Sequence, residues 1–302
     1  MGCGTFTSQD WSSYTASRGI TKDSTYSSIY TNHSIKDSLN PKGITYRESC
    51  DSDDHPNSTP IILGLDVTGS MGDLAATIAK ESLKTLMTEL YDKQPVTDPH
   101  IMFMAIGDAF TDISPLQVSQ FEADIRIAEQ LTDIYFEGHG GGNGGESYLL
   151  AWYFAARHTK IDSFEKHGRK GFLFTIGDEP NHGKLTVDQV KRIFGDDIEA
   201  DLTAEEILTE VTRQYEVFHL VVKEGERRYN SVTKWTKLLS ERAMEVTDYT
   251  KIPEIIESTL EILGGADAST VASQWDGNTA IVVQNAVKGL SAVDSSKDLV
   301  EF

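Results

Sequence analysis

Asp66-Val67-Thr68-Gly69-Ser70-Met71-Gly72 follows a run of apolar residues and offers a carboxylate and two hydroxyls at alternate positions. If that run is a buried strand, the three oxygen-bearing side chains reach one point at its carboxyl end. Oxygen ligands at such spacing suit a hard divalent cation, magnesium or manganese. A second polar loop, Gly138-His139-Gly140-Gly141-Gly142-Asn143-Gly144-Gly145-Glu146-Ser147, opens a helix near Tyr148. Its glycines let backbone approach a ligand closely, and Asn143, Glu146 and Ser147 supply oxygens. A flexible linker is the plain alternative, but linkers rarely join two amphipathic helices. The third loop, Thr175 through Gly183 (TIGDEPNHG), follows another apolar run and puts Asp178 at its end. One strand-end Asp is common, whereas three such loops in one chain are not. His139 and His182 lie in these loops, yet two loop histidines without Cys or a His-x-x-x-His helix are a weak zinc signature.

Elements of two kinds must position these loops. Apolar runs of strand length fall at Ile61 to Val67, His100 to Ile106, Gly171 to Ile176, Val217 to Val222 and Ala243 to Val246, with a short edge strand around Leu116 to Phe121. Between them lie segments of helical period: Leu74 to Leu90, Ile125 to Ile134, Tyr148 to Arg157, Ala204 to Gln214, Ser231 to Leu239 and Pro253 to Leu263. The alternation predicts an α/β fold, doubly wound, with a mostly parallel central sheet and helices on both faces. In such sheets ligands gather at the carboxyl ends of the strands, where all three loops fall. Trp152, Trp235 and the apolar stripes are packing residues on this reading, and His219, inside a strand, is a core or edge residue.

Residues 1–59 are rich in Ser, Thr, Asp, Asn and Tyr and read as a polar N-terminal extension, with a short strand at Ile44-Thr45-Tyr46 and a solvated acidic loop from Asp51 to Pro60. Residues 60–265 form the domain proper. After Gly264-Gly265, residues 266–302 form a C-terminal tail with one helix from Thr279 to Leu290. Asp196-Asp197 and the acidic stretch 199–206 read as a solvated helix start.

The 302 residues carry 47 acidic against 27 basic side chains, a net charge of −20. That excess repels phosphate backbones and anionic membranes, so nucleic acid and membrane are not expected partners. Cys3 and Cys50 are too few for a disulfide framework, and no stretch has the roughly 18 apolar residues of a membrane helix. Gly2 lacks the Ser or Thr at position 6 of a myristoylation site, and Cys3 lacks a lipoprotein leader. A cytoplasmic protein is the expectation.

The Asp66 to Gly72 run resembles the Asp-x-Ser-x-Ser metal-ion-dependent adhesion motif of von Willebrand factor A domains, with Thr68 in place of a Ser, and the resemblance covers residues 60–265. It implies a metal site of Asp66, Thr68, Ser70, Asn143 and Asp178, in which Thr68 or Ser70 binds the ion directly and Asp66 or Asp178 acts through water. Asn143 stands where the family usually has Thr. Either its amide oxygen binds, or the contact passes to Glu146 or Ser147. The glycine run followed by a carboxylate is similar to a subset of intracellular, prokaryotic or phage A domains, in which Asp108 also lies near the site. The implied function is non-enzymatic: magnesium leaves one position open for an Asp or Glu of a protein partner. Intracellular proteins of this kind work with AAA-type ATPases or kinases.

The competing expectation is enzymatic. Asp66 to Ser70 also resembles the phosphorylation loop of haloacid-dehalogenase-like phosphotransferases, whose first Asp is a nucleophile. Against it stand Val67, the lack of a downstream Lys loop, and a glycine-rich loop with no task. A P-loop is excluded by the missing Gly-Lys-Ser or Gly-Lys-Thr, and a dinucleotide fingerprint by a glycine run that does not follow a strand.

Overall fold

The computed structural model describes residues 4–137, 144–223 and 230–292, apart from the side chain of Ser70. Six strands make the central sheet: β1 (Thr59–Asp66), β2 (Pro99–Ile106), β3 (Leu116–Val118), β4 (Gly171–Gly177), β5 (Tyr215–Val222) and β6 (Ala243–Val246). Their order across the sheet is β6-β5-β4-β1-β2-β3, all parallel except β3. Every residue of β1 and β2 is buried, as a doubly covered sheet requires.

The period of two sorts β1 between the two faces. Ile61, Leu63 and Leu65 join one apolar cluster with the helices Leu83–Lys93 and Ile252–Leu263, while Ile62 joins the other with Leu149–Arg157, Ala204–Val211 and Ser231–Leu239. The fold is therefore α/β and doubly wound. Among the described residues no helix is long and apolar enough to cross a membrane.

Several elements differ in detail from expectation. The helix expected over Leu74 to Leu90 is Gly72–Thr77 and Leu83–Lys93 joined by a π turn, Ile78–Ser82. The N-terminal strand is Arg47–Ser49, paired with Thr159–Ile161, and Ile44 to Tyr46 precede it. The Asp51 to Pro60 loop is not simply solvated: His55 is buried, its Nδ1 lies 3.0 Å from His100 Nε2, and Asp51 accepts hydrogen bonds from Ser58 and His167. Asp196 likewise accepts from Tyr153 and His158 instead of facing water alone. The helix expected from Thr279 to Leu290 is Gly277–Ala286.

The N-terminal segment forms a helix, Ser8–Arg18, and lays Phe6, Trp11, Ile29, Tyr30 and Leu39 into the same cluster as β1. Val282, Val283 and Leu290 join that cluster from the other end. Cys50 is a free thiol, and Cys3 lies outside the described residues.

Candidate metal centre at the carboxyl edge

Chain order reverses between β1 and β4: the strands run β1-β2-β3 to one side and β4-β5-β6 to the other. Loops leaving β1 and β4 therefore part to opposite faces and open a crevice at their carboxyl ends. Asp66 is the last residue of β1, and Asp178 follows the last residue of β4. The sheet thus puts the two carboxylates on either side of the crevice.

Asp66 is fully buried and tightly held. Its Oδ1 accepts from the Thr68 backbone N–H (2.9 Å) and hydroxyl (2.7 Å), and its Oδ2 accepts from Tyr148 Oη at 2.6 Å. Burial and then the charge of Asp178 push its carboxyl up to about 6, although the bonds from Tyr148 and Thr68 oppose the shift. Tyr148 was not singled out from sequence as a site residue. It is buried at the start of the helix Leu149–Arg157, with ring contacts to His219 and Trp235. The phenol fits because residue 177 is glycine: a Cβ there would lie 2.0 Å from Tyr148 Oη. An aromatic just after the glycine-rich loop was the available sign, and only the fold pairs it with Gly177 and Asp66.

Glu146 is 5% exposed, and its Oε2 has no hydrogen-bond partner among the described residues. Burial, followed by the charges of Asp66, Asp108, Asp112 and Glu179, pushes its carboxyl up to about 10. Its backbone N–H donates to Pro180 O at 2.9 Å, and it pairs with Asn181, which fastens the second loop to the third. Asp108 is fully buried behind this pair, and its Oδ1 accepts from Ser147 Oγ (3.2 Å) and His182 Nε2 (2.9 Å). His182 is thus a hydrogen-bond donor to a carboxylate. His219 is a core residue, with Nδ1 2.8 Å from Thr175 Oγ1 and its ring stacked on Trp235 at 3.7 Å.

Of the residues expected to hold a metal, Asp66 and Thr68 are in direct contact, and Asp178 is close enough for its charge to act on Asp66. Ser70 lies in the turn Gly69–Met71 with its side chain outside the described residues, as are Asn143 and His139. Ser147 is hydrogen-bonded to Asp108, and Glu146 lies close enough to feel the charges of both Asp66 and Asp108. Among the described residues no three His, Cys, Asp or Glu side chains converge closely enough to hold an ion by themselves. Hydroxyl and amide oxygens would have to complete such a site. The donor set still fits a hard cation: several buried carboxylates repel one another, and Glu146 Oε2 lacks a partner among the described residues.

No protein-family model and no curated protein matches the chain. Two crystal structures of the pilus adhesin SpaC from Lactobacillus rhamnosus GG, one of them in an open conformation, align over 73% of this chain with 10% identity and a TM-score of 0.45. The chain spans 31% of one and 32% of the other.

Proposed function

We propose that this chain is a non-enzymatic, protein-binding module that works through a magnesium or manganese ion at the crevice between β1 and β4, as in von Willebrand factor A domains. The reading rests above all on the buried carboxylates at that crevice: Asp66 and Glu146 are both pushed toward their neutral forms, and Glu146 Oε2 is unpartnered among the described residues. A bound divalent cation would supply the positive charge that lets these groups ionise, and an open coordination position for a partner's Asp or Glu. Asp66, Thr68, Ser70, Asn143 and Asp178 would hold it, with Asp108, Glu146 and Ser147 behind them. Tyr148 orients Asp66 by donating to Oδ2, and the Thr68 hydroxyl donates to Oδ1 while keeping its lone pairs for an ion. Ser147 and His182 fix Asp108 in turn. The partner is a protein that presents a carboxylate, and the AAA-type ATPase or kinase assemblies of intracellular relatives are the proposed setting, in the cytoplasm.

The test is calorimetric titration of Mg2+ and Mn2+ into metal-free protein, paired with capture of partners in Mg2+ or EDTA. Saturable Mg2+ binding is expected for the native chain and none for Asp66→Ala, and partner retention should be stronger in Mg2+ than in EDTA. Retention that is as strong in EDTA, or by Asp66→Ala, as by the native chain in Mg2+ would overturn the reading. A hydroxylamine-sensitive phosphoryl group on Asp66 after incubation with a phosphate donor would establish the phosphotransferase alternative instead.

A further inference from the structure

The third loop has a second side. Pro180 and Asn181, which fasten Glu146 from within the crevice, also line a groove of about 400 Å³ together with Glu205, Leu208, Lys234 and Lys237. The groove therefore borders the same stretch of backbone that holds Glu146.

The helix Ser231–Leu239 forms one wall, and the loop holds it in place. Ser231 Oγ donates to Asp178 O at 2.7 Å, and Trp235 Nε1 donates to Glu179 O at 3.0 Å. Trp235 and Leu239 point into the core, so helical geometry leaves Lys234 and Lys237, three residues apart, exposed on the groove side. Neither lysine makes an ion pair with a described residue, in a chain whose acids outnumber its bases 47 to 27. Lys184, Lys191 and Lys223 have each found a carboxylate, at 2.7 or 2.8 Å. The acidic lining residue, Glu205, lies in the first turn of the helix Ala204–Val211, where its charge is favoured by the positive end of the helix dipole.

We propose that this groove receives an acidic segment of the protein partner, whose carboxylates pair with Lys234 and Lys237 while an apolar side chain covers Leu208. The inference rests on the metal-dependent reading above and names the chemistry of the partner. Two exposed cations with no internal partner complement acidic side chains, and a segment bound there lies beside the residue that would reach the crevice. Exposed ion pairs contribute little each, so the groove adds specificity and steering to an attachment made at the crevice.

A fluorescein-labelled decapeptide of alternating Glu and Leu, titrated with the full chain and read by fluorescence anisotropy, provides the test. It is run in Mg2+ and in EDTA, with the native protein, the double variant Lys234→Glu/Lys237→Glu, its Lys→Arg counterpart and Asp66→Ala. Charge reversal is expected to weaken binding about tenfold in both buffers. The Arg variant is expected to match the native protein, and Asp66→Ala to lose only the gain that Mg2+ provides. Unchanged affinity on charge reversal, with Mg2+ dependence kept, overturns the groove and leaves the metal reading standing. Sensitivity to charge reversal without any Mg2+ dependence does the opposite. Absence of binding in both buffers, or equal binding of a Lys-Leu decapeptide, also overturns the proposal. Matching thermal melts of the variants establish that they are folded.

Discussion

Burial of Asp66 and Glu146 sets which protonation state the metal-free protein prefers. Glu146, pushed up to about 10, holds a proton in the native state that the unfolded chain releases near 4.5. Stability from this group is therefore lost as pH rises between those values, by at most about 1.4 kcal/mol per pH unit. His100 and His219, both pushed down by burial, act in the opposite sense but only below about 6.5. Between pH 7 and 9 these histidines no longer contribute, and Glu146→Gln separates Glu146 from the other raised groups, Glu257 and Cys50. Urea unfolding in EDTA is expected to show a midpoint that falls across this window, with the fall reduced in Glu146→Gln. An equal fall in the variant would mean that Glu146 is already ionised. Gly177→Ala is the steric counterpart: its Cβ would displace the Tyr148 phenol from Asp66, at a cost of about 1–3 kcal/mol. If melting and Mg2+ affinity both match the native protein, the Tyr148 contact does not matter.

At the scale of elements, caps and turns decide where the loops are held. Thr203 begins the helix that borders the groove: its hydroxyl accepts from Glu206 N, and the Glu206 side chain accepts from Thr203 N. Thr203→Ala is expected to cost about 1 kcal/mol and to speed amide exchange in the first turn of Ala204–Val211, with the rest of the chain unaffected. Uniform exchange changes would mean that the helix end does not open by itself. The sequence pattern located this helix well, because its apolar stripe (Ala204, Ile207, Val211) has a clear period. It gave no sign of the π turn at Ile78–Ser82, since one extra residue per turn shifts the stripe by less than its own width.

Over the whole molecule, the N-terminal segment is built into the same core as the sheet. Trp11 is 5% exposed, and Tyr30 Oη donates to Ala75 O (2.9 Å) in the helix that follows the Asp66 to Gly72 loop. The N-terminal segment therefore braces the helix that follows the loop carrying Thr68. Trp11→Ala is expected to destabilise by about 3–5 kcal/mol. Fluorescence and far-ultraviolet circular dichroism should then report one shared unfolding transition at a lower midpoint. Two separated transitions would show that residues 4–59 fold independently of the sheet.

The sequence by itself determined the α/β alternation, the central strands and the polar loops that leave β1 and β4, because apolar period and strand-end residues are local properties. Asp66, Thr68 and Asp178 were legible as candidate site residues for the same reason. Tertiary structure alone decided what surrounds them. Tyr148 reaches Asp66 across 82 positions of chain, and it does so only because Gly177, on a neighbouring strand, leaves space for the phenol. Ser49 and His55 meet His100 of β2 in the core, although composition had pointed to water for the loop around His55. Contacts of this kind depend on strand order and helix packing, which no local pattern encodes: the reversal between β1 and β4 brings Asp66 and Asp178 to one crevice, where burial and the charge of Asp178 raise the Asp66 carboxyl.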